Sequence, residues 1–142
     1  MPIQTASETE AVYLFNADTG KTILNQNADQ QQYVASLTKL MTALLLLESG
    51  KDLNGEVTVP TALTQEFRDI QNANGTTMGL RIGETVHRID LLNAMLIVSA
   101  NDAASVIAYD VGGSVLDFVK QMRPCPGAGL HRHELYLCPR PV

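Results

Sequence analysis

Residues 36–49 read Ser-Leu-Thr-Lys-Leu-Met-Thr-Ala-Leu-Leu-Leu-Leu-Glu-Ser and are followed by Gly50. Leu37, Leu40, Met41, Leu44, Leu45 and Glu48 recur at spacings of three and four, which predicts a helix over about 36–49 that Gly50 stops. Leu46 and Leu47 lie off that stripe, so only Thr38, Lys39, Thr42 and Glu48 break a surface that is apolar almost all round. Such a helix demands cover on every side. Any fold this chain adopts must place the segment at its centre.

The flanking sequence predicts what surrounds it. Residues 11–15 and 21–25 are β-favouring runs joined by Asn16-Ala17-Asp18-Thr19-Gly20, which suits a hairpin with one left-handed turn residue. Residues 56–59 read as a short strand ended by Pro60. Residues 61–68 suit a short helix before Asn72-Ala73-Asn74-Gly75, in a stretch expected to be mostly surface. Residues 81–84 read as a turn, and Ile89, Leu92, Met95 and Leu96 carry helical spacing into a second buried helix ending near Ser99. Asp102 suits an N-cap for residues 103–111, and Ser114 with Asp117 opens a last helix after Gly112-Gly113. The longest mainly apolar stretches, residues 40–47 and 91–98, fall short of the ~20 residues of a membrane span.

The 142 residues leave room for one domain and little more. With 10 basic and 15 acidic residues the net charge is −5, without the basic stripe that a phosphate backbone requires, so nucleic acid is excluded as an expected partner. The charge is unevenly distributed. Residues 1–122 hold 7 Lys/Arg against 14 Asp/Glu, a net −7, and no cysteine, whereas residues 123–142 hold 3 Arg against one Glu, a net +2. The second stretch also carries both cysteines and four of the six prolines. It reads as a different text, and the domain division is set at 1–122 and 123–142.

Ser36-Leu37-Thr38-Lys39 is S-x-x-K at the start of the central helix. Residues three apart share a helix face, so the Lys39 amine can reach the Ser36 hydroxyl. A serine hydroxyl is a weak nucleophile until a base takes its proton, and lysine is such a base only where burial or neighbouring positive charge lowers its pKa. An apolar helix supplies that environment. Taken alone, the same residues also fit an N-capping serine and a lysine whose stem packs while its ammonium stays in water.

Ser99-Ala100-Asn101 adds an S-x-N triplet just past the second apolar helix. S-x-x-K followed by S-x-N is the motif pair of penicillin-binding proteins and serine β-lactamases. Residues 35–43, the turn at 16–21, residues 78–86 (Met-Gly-Leu-Arg-Ile-Gly-Glu-Thr-Val) and residues 98–104 (Val-Ser-Ala-Asn-Asp-Ala-Ala) together resemble the D-alanyl-D-alanine carboxypeptidases, the low-molecular-mass penicillin-binding proteins. The resemblance covers residues 10–122. It implies an α+β, β-lactamase/transpeptidase-like fold, here an incomplete one: an N-terminal β-hairpin and a helical cluster around a buried central helix. It also implies that Ser36 attacks the D-Ala-D-Ala bond of a peptidoglycan pentapeptide to form an acyl-enzyme, with Lys39 as base. Ser99 would relay a proton to the departing D-alanine, and Asn101 would bind Lys39 or the substrate amide. The Ser36 N–H would be one of two oxyanion donors, and β-lactams would acylate Ser36 as covalent inhibitors. No metal or cofactor is expected. Localisation by resemblance is the bacterial periplasm or the outer face of the cytoplasmic membrane, although no signal peptide or anchor is expected in this chain.

The family's third motif, K-T-G on a sheet strand, does not occur; Thr19-Gly20-Lys21 has its letters in another order. Two alternatives therefore stand beside the carboxypeptidase reading: a catalytically impaired remnant lacking that strand, and a β-lactamase- or esterase-like hydrolase. Without the strands that should pack on the central helix, exposed apolar surface is expected to promote self-association. Back-translated with favourable codons and read one nucleotide later, residues 123–142 yield a family-like segment ending Ala-His-Gly-Leu, so the tail is expected to be out-of-frame and disordered. Cys125, His131, His133 and Cys138 match none of the usual zinc-finger spacings.

Overall fold

The computed structural model describes residues 9–30 and 32–122, so expectations for residues 123–142 lie outside the described residues. The chain divides into two compact units, one carrying the hairpin and the other the helices.

In the first unit, β1 (Val12–Asn16) pairs antiparallel with β2 (Lys21–Gln26), as their β-favouring sequences predict. Asn16 shapes the turn: its Oδ1 accepts from Thr19 N at 2.8 Å and Thr19 Oγ1 at 2.9 Å. Its carbonyl accepts from Gly20 N at 3.0 Å, with Gly20 at φ +68°. Tyr13 and Phe15, two apart on one strand face, stack with centroids 6.4 Å apart.

The second unit opens with a 3-10 turn, Ala35–Leu37, that runs into α1 (Thr38–Glu48). It continues through β3 (Glu56–Thr58), α2 (Thr64–Asn72), β4 (Thr85–His87), α3 (Arg88–Ile97), α4 (Asn101–Gly112) and α5 (Val115–Gln121). Leu46 and Ala43 of α1, Leu91, Leu92 and Met95 of α3, and Ala103, Val106 and Ile107 of α4 form one buried cluster. Val59 and Leu63 join it, so the stretch expected to be mostly surface also supplies core residues. A second cluster sets Met41 against Ala108, Phe118 and Met122. At the start of α5, Ser114 Oγ accepts from Asp117 N at 3.0 Å, the expected cap.

Three local expectations are corrected. The central helix is covered where Lys39, Thr42, Ala43 and Leu46 lie and again at Met41, but Leu37, Leu40 and Leu47 remain exposed, Leu37 by 64%. The end of α3 behaves similarly, with Leu96, Ile97 and Val98 exposed. The strand β4 was not anticipated: Thr85-Val86-His87 is too short to signal itself and owes its form to β3, where Val57 pairs with Val86 and the Thr58 and Thr85 hydroxyls meet at 3.0 Å. Asp102 is not an N-cap. Ala100 holds that position, while Asp102 sits in the first turn of α4, 2% exposed.

The Asp102 carboxylate instead binds a neighbouring loop. It accepts from Met78 N, Gly79 N and Leu80 N, each at 3.0 Å, and from Ala103 N at 2.9 Å. Four backbone donors converge on one buried side chain, which explains how a carboxylate tolerates this position. At the far end of α3 and α4, Arg88 clasps Asp110 through bonds of 2.7 and 3.0 Å. Burial pushes the Asp110 carboxyl up, but the hydrogen bonds and charges of Arg88 and, to a lesser degree, Lys51 outweigh it and hold the group below the ordinary value.

Two stability outcomes follow from this packing. Asp102→Ala strands several backbone donors and should cost more than about 3 kcal/mol in urea unfolding, with Asp102→Asn losing less because one acceptor oxygen remains. A loss below about 1 kcal/mol for the alanine variant would contradict the loop-anchoring role. Gly112→Ala would ordinarily gain about 1 kcal/mol in a helix. Here a Cβ would stand 2.6–2.7 Å from the Phe118 Cβ, Cα and N, so the substitution should destabilise, and a higher unfolding midpoint would refute that contact.

Candidate active site

Two backbone features bring the S-x-x-K and S-x-N residues together. Ser36 lies in the 3-10 turn, one residue after Ala35, which adopts φ +45°, and one turn before Lys39 on the covered face of α1. Ser99 adopts φ +60° where the chain reverses between α3 and α4, and the Val98 and Ala100 amides both donate to Ala94 O at 3.2 Å. Left-handed conformations at Ala and Ser each cost roughly 1–2 kcal/mol, so both are held by their surroundings. Ser36 is not a helix cap: the residue before α1 is Leu37, and no side chain caps the helix there. Nor does Lys39 extend into water, since it is only 9% exposed.

Three side-chain oxygens converge on Lys39 Nζ. It donates to Asn101 Oδ1 at 2.8 Å, to Ser99 Oγ at 3.0 Å and, at the limit of a hydrogen bond, to Ser36 Oγ at 3.4 Å. Ser99 Oγ donates to Ser36 Oγ at 2.9 Å. Every acceptor is neutral, and among the described residues no ion pair includes Lys39. Burial therefore acts unopposed and pushes the Lys39 amine below its ordinary value of 10.5.

The same geometry suits the neutral amine. With one proton removed, Nζ still donates to Asn101 Oδ1 and Ser99 Oγ, while its lone pair is free to accept the Ser36 proton across the longer contact. The ring Ser36–Lys39–Ser99 then closes with each hydroxyl donating once. Such a ring can carry a proton from one oxygen to the other. Asn101 is fixed independently, since its Nδ2 and backbone N donate to Thr76 O at 3.0 and 2.8 Å. The loop that contains Thr76 is the one Asp102 anchors two residues further on.

Ser36, Lys39 and Asn101 line a cleft of about 470 Å³ whose wall also includes Thr42, Glu66 and Ser105. Ser105 donates to Glu66 Oε1 at 3.2 Å. Neither this pair nor the loop-anchoring role of Asp102 is predicted by the motifs. Ser105 had a signal, lying four residues after Asn101 on one face of α4. Glu66 had none, because it arrives from α2. Among the described residues no group of three or more His, Cys, Asp or Glu is placed to hold a metal ion, and no helix is long and apolar enough to cross a membrane.

Comparison with known proteins agrees with the motifs. Residues 2–125 match the D-alanyl-D-alanine carboxypeptidase family. The chain is 31% identical over 122 residues to a D-alanyl-D-alanine endopeptidase of Pseudomonas aeruginosa, covering 86% of this chain and 37% of that one. It is 32% identical over 120 residues to the D-alanyl-D-alanine carboxypeptidase DacF of Bacillus subtilis, covering 82% and 29%. Among solved structures, a Streptomyces DD-transpeptidase superposes with a TM-score of 0.67 at 28% identity, covering 77% of this chain and 43% of that one. A peptidoglycan synthesis regulatory factor of Streptococcus pneumoniae superposes with a TM-score of 0.68 at 30% identity, covering 78% and 31%. The chain thus spans about a third of the length of the curated relatives it matches, and within that span its helices and small sheets have the transpeptidase-like α+β fold. Motif order, fold and relatives all lead to one assignment: this chain belongs to the D-alanyl-D-alanine carboxypeptidase family.

Proposed function

We propose that the chain carries the acylation centre of a serine-type D-alanyl-D-alanine carboxypeptidase, with residues 1–122 forming the front part of the catalytic domain and residues 123–142 a separate text. The observation that carries the reading is the buried Lys39 amine within hydrogen-bond reach of both Ser36 and Ser99 and, among the described residues, balanced by no carboxylate. The Lys39 lone pair takes the Ser36 proton as Ser36 Oγ bonds to the carbonyl carbon of the penultimate D-alanine of a peptidoglycan stem pentapeptide. Ser99 gives its proton to the leaving nitrogen and is resupplied from the Lys39 ammonium, the C–N bond breaks and free D-alanine departs. Water then attacks the Ser36 ester with Lys39 again as base, the Ser36 Oγ–carbon bond breaks, and the Lys39 ammonium returns its proton to Ser36 Oγ as the shortened peptide leaves. Asn101 orients Lys39 and the substrate amide. The Ser36 N–H, in the first turn where helix donors lack internal acceptors, stabilises the developing oxyanion. Such a substrate lies outside the cytoplasmic membrane, in the periplasm or on its outer face.

A second reading is the impaired remnant. It is favoured by the exposed Leu37, Leu40 and Leu47 stripe, which suits burial against further sheet or against another copy of the chain.

One labelling experiment separates the two. With a fluorescent penicillin, the full 142-residue chain should gain one adduct by intact mass, and Ser36→Ala should gain none. Folded protein without a Ser36-dependent adduct would leave only the remnant. Labelling should also rise with pH along a limb centred below 10.5, because the base must be unprotonated and burial favours that form. Lys39→Arg, which stays protonated, should lose at least about 100-fold in labelling rate; an equal rate would exclude Lys39 as the base.

A further inference from the structure

Glu66 is a carboxylate in the wall of the Ser36 cleft that the proposed mechanism does not use. Its Oε1 is fixed by Ser105 Oγ at 3.2 Å, and Ser105 is itself buried on α4. Lys39, which lines the same cleft, already directs its three N–H donors to Ser36, Ser99 and Asn101. Among the described residues the ion pairs join Lys51 and Arg88 to Asp110 and Lys120 to Asp117, and none includes Glu66. The cleft therefore runs from a nucleophile to an oriented carboxylate that no cation of the described residues pairs with.

A half-buried carboxylate in a substrate-sized cleft gains most from a ligand that brings its own positive charge and N–H donors. We propose that Glu66, held by Ser105, is a specificity-determining residue that reads an ammonium group on the acyl side of the molecule that acylates Ser36. This assignment rests on the acylation function proposed above. It predicts discrimination between two acyl donors that differ only in one side-chain amine.

Benzylpenicillin and aminobenzylpenicillin are such a pair, since both present the same lactam and the second adds an ammonium to the acyl side chain. Second-order labelling rates of the full chain, read by intact mass at neutral pH, give their ratio. Glu66→Gln should lower the ratio of amino to unsubstituted compound about fivefold, the worth of one half-exposed charge contact, and leave the benzylpenicillin rate within about twofold. Glu66→Lys should lower the ratio further and Glu66→Asp should restore part of it. An unchanged ratio overturns the proposal. So does an equal fall for both compounds, which would mark a structural role, or a slower loss of adduct at unchanged labelling, which would make Glu66 a base for hydrolysis. Wild-type chain that neither compound labels would instead refute the acylation function, and this inference with it.

Discussion

A lysine amine buried among neutral oxygens is the constraint on which the rest of the arrangement depends. Lys39 stands on the covered face of α1 beside Ala43 and Leu46, where a charge is expensive. The nearest groups offer hydrogen bonds but no opposite charge. A carboxylate in their place would have stabilised the ammonium and removed its lone pair from use. The choice of Ser and Asn as partners keeps the amine satisfied in either protonation state.

Holding those partners in place requires strain and support elsewhere. Ser99 and Ala35 adopt left-handed backbone conformations that neither residue favours, and they sit directly beside or within the cluster. Asp102 supplies the compensating order. By collecting three amides of residues 78–80 it ties the loop after α2 to the start of α4, and Thr76 of that loop holds Asn101 by two hydrogen bonds. Asn101 and Asp102 are adjacent in sequence but face opposite tasks, one toward the lysine and one toward the loop.

Much of this was legible in the residues because it was local. Helical spacing located α1 and α3, Asn16 and Gly20 the hairpin turn, and Ser114 with Asp117 the start of α5. The motif pair brought Ser36, Lys39, Ser99 and Asn101 together because the order of the motifs is specific. What escaped was set by distant partners. Thr85-Val86-His87 became a strand only through residues 56–58, and Asp102 looked like a cap because its three loop amides lie more than 20 residues earlier in the chain. Glu66 entered the cleft through the packing of α2 against α4. The expectation that α1 is covered on every side failed on one stripe for a related reason, since pattern shows what a helix wants to bury and not which elements are at hand to bury it.

Burial beside neutral partners makes Lys39 a weaker base than an ordinary lysine. Nuclear magnetic resonance titration of its ζ-nitrogen in the folded chain, assigned with Lys39→Arg, reads that difference at the atom itself. The midpoint should lie below 10.5 and move upward when Asn101→Asp places a carboxylate next to the amine. A wild-type midpoint at or above 10.5 would contradict it.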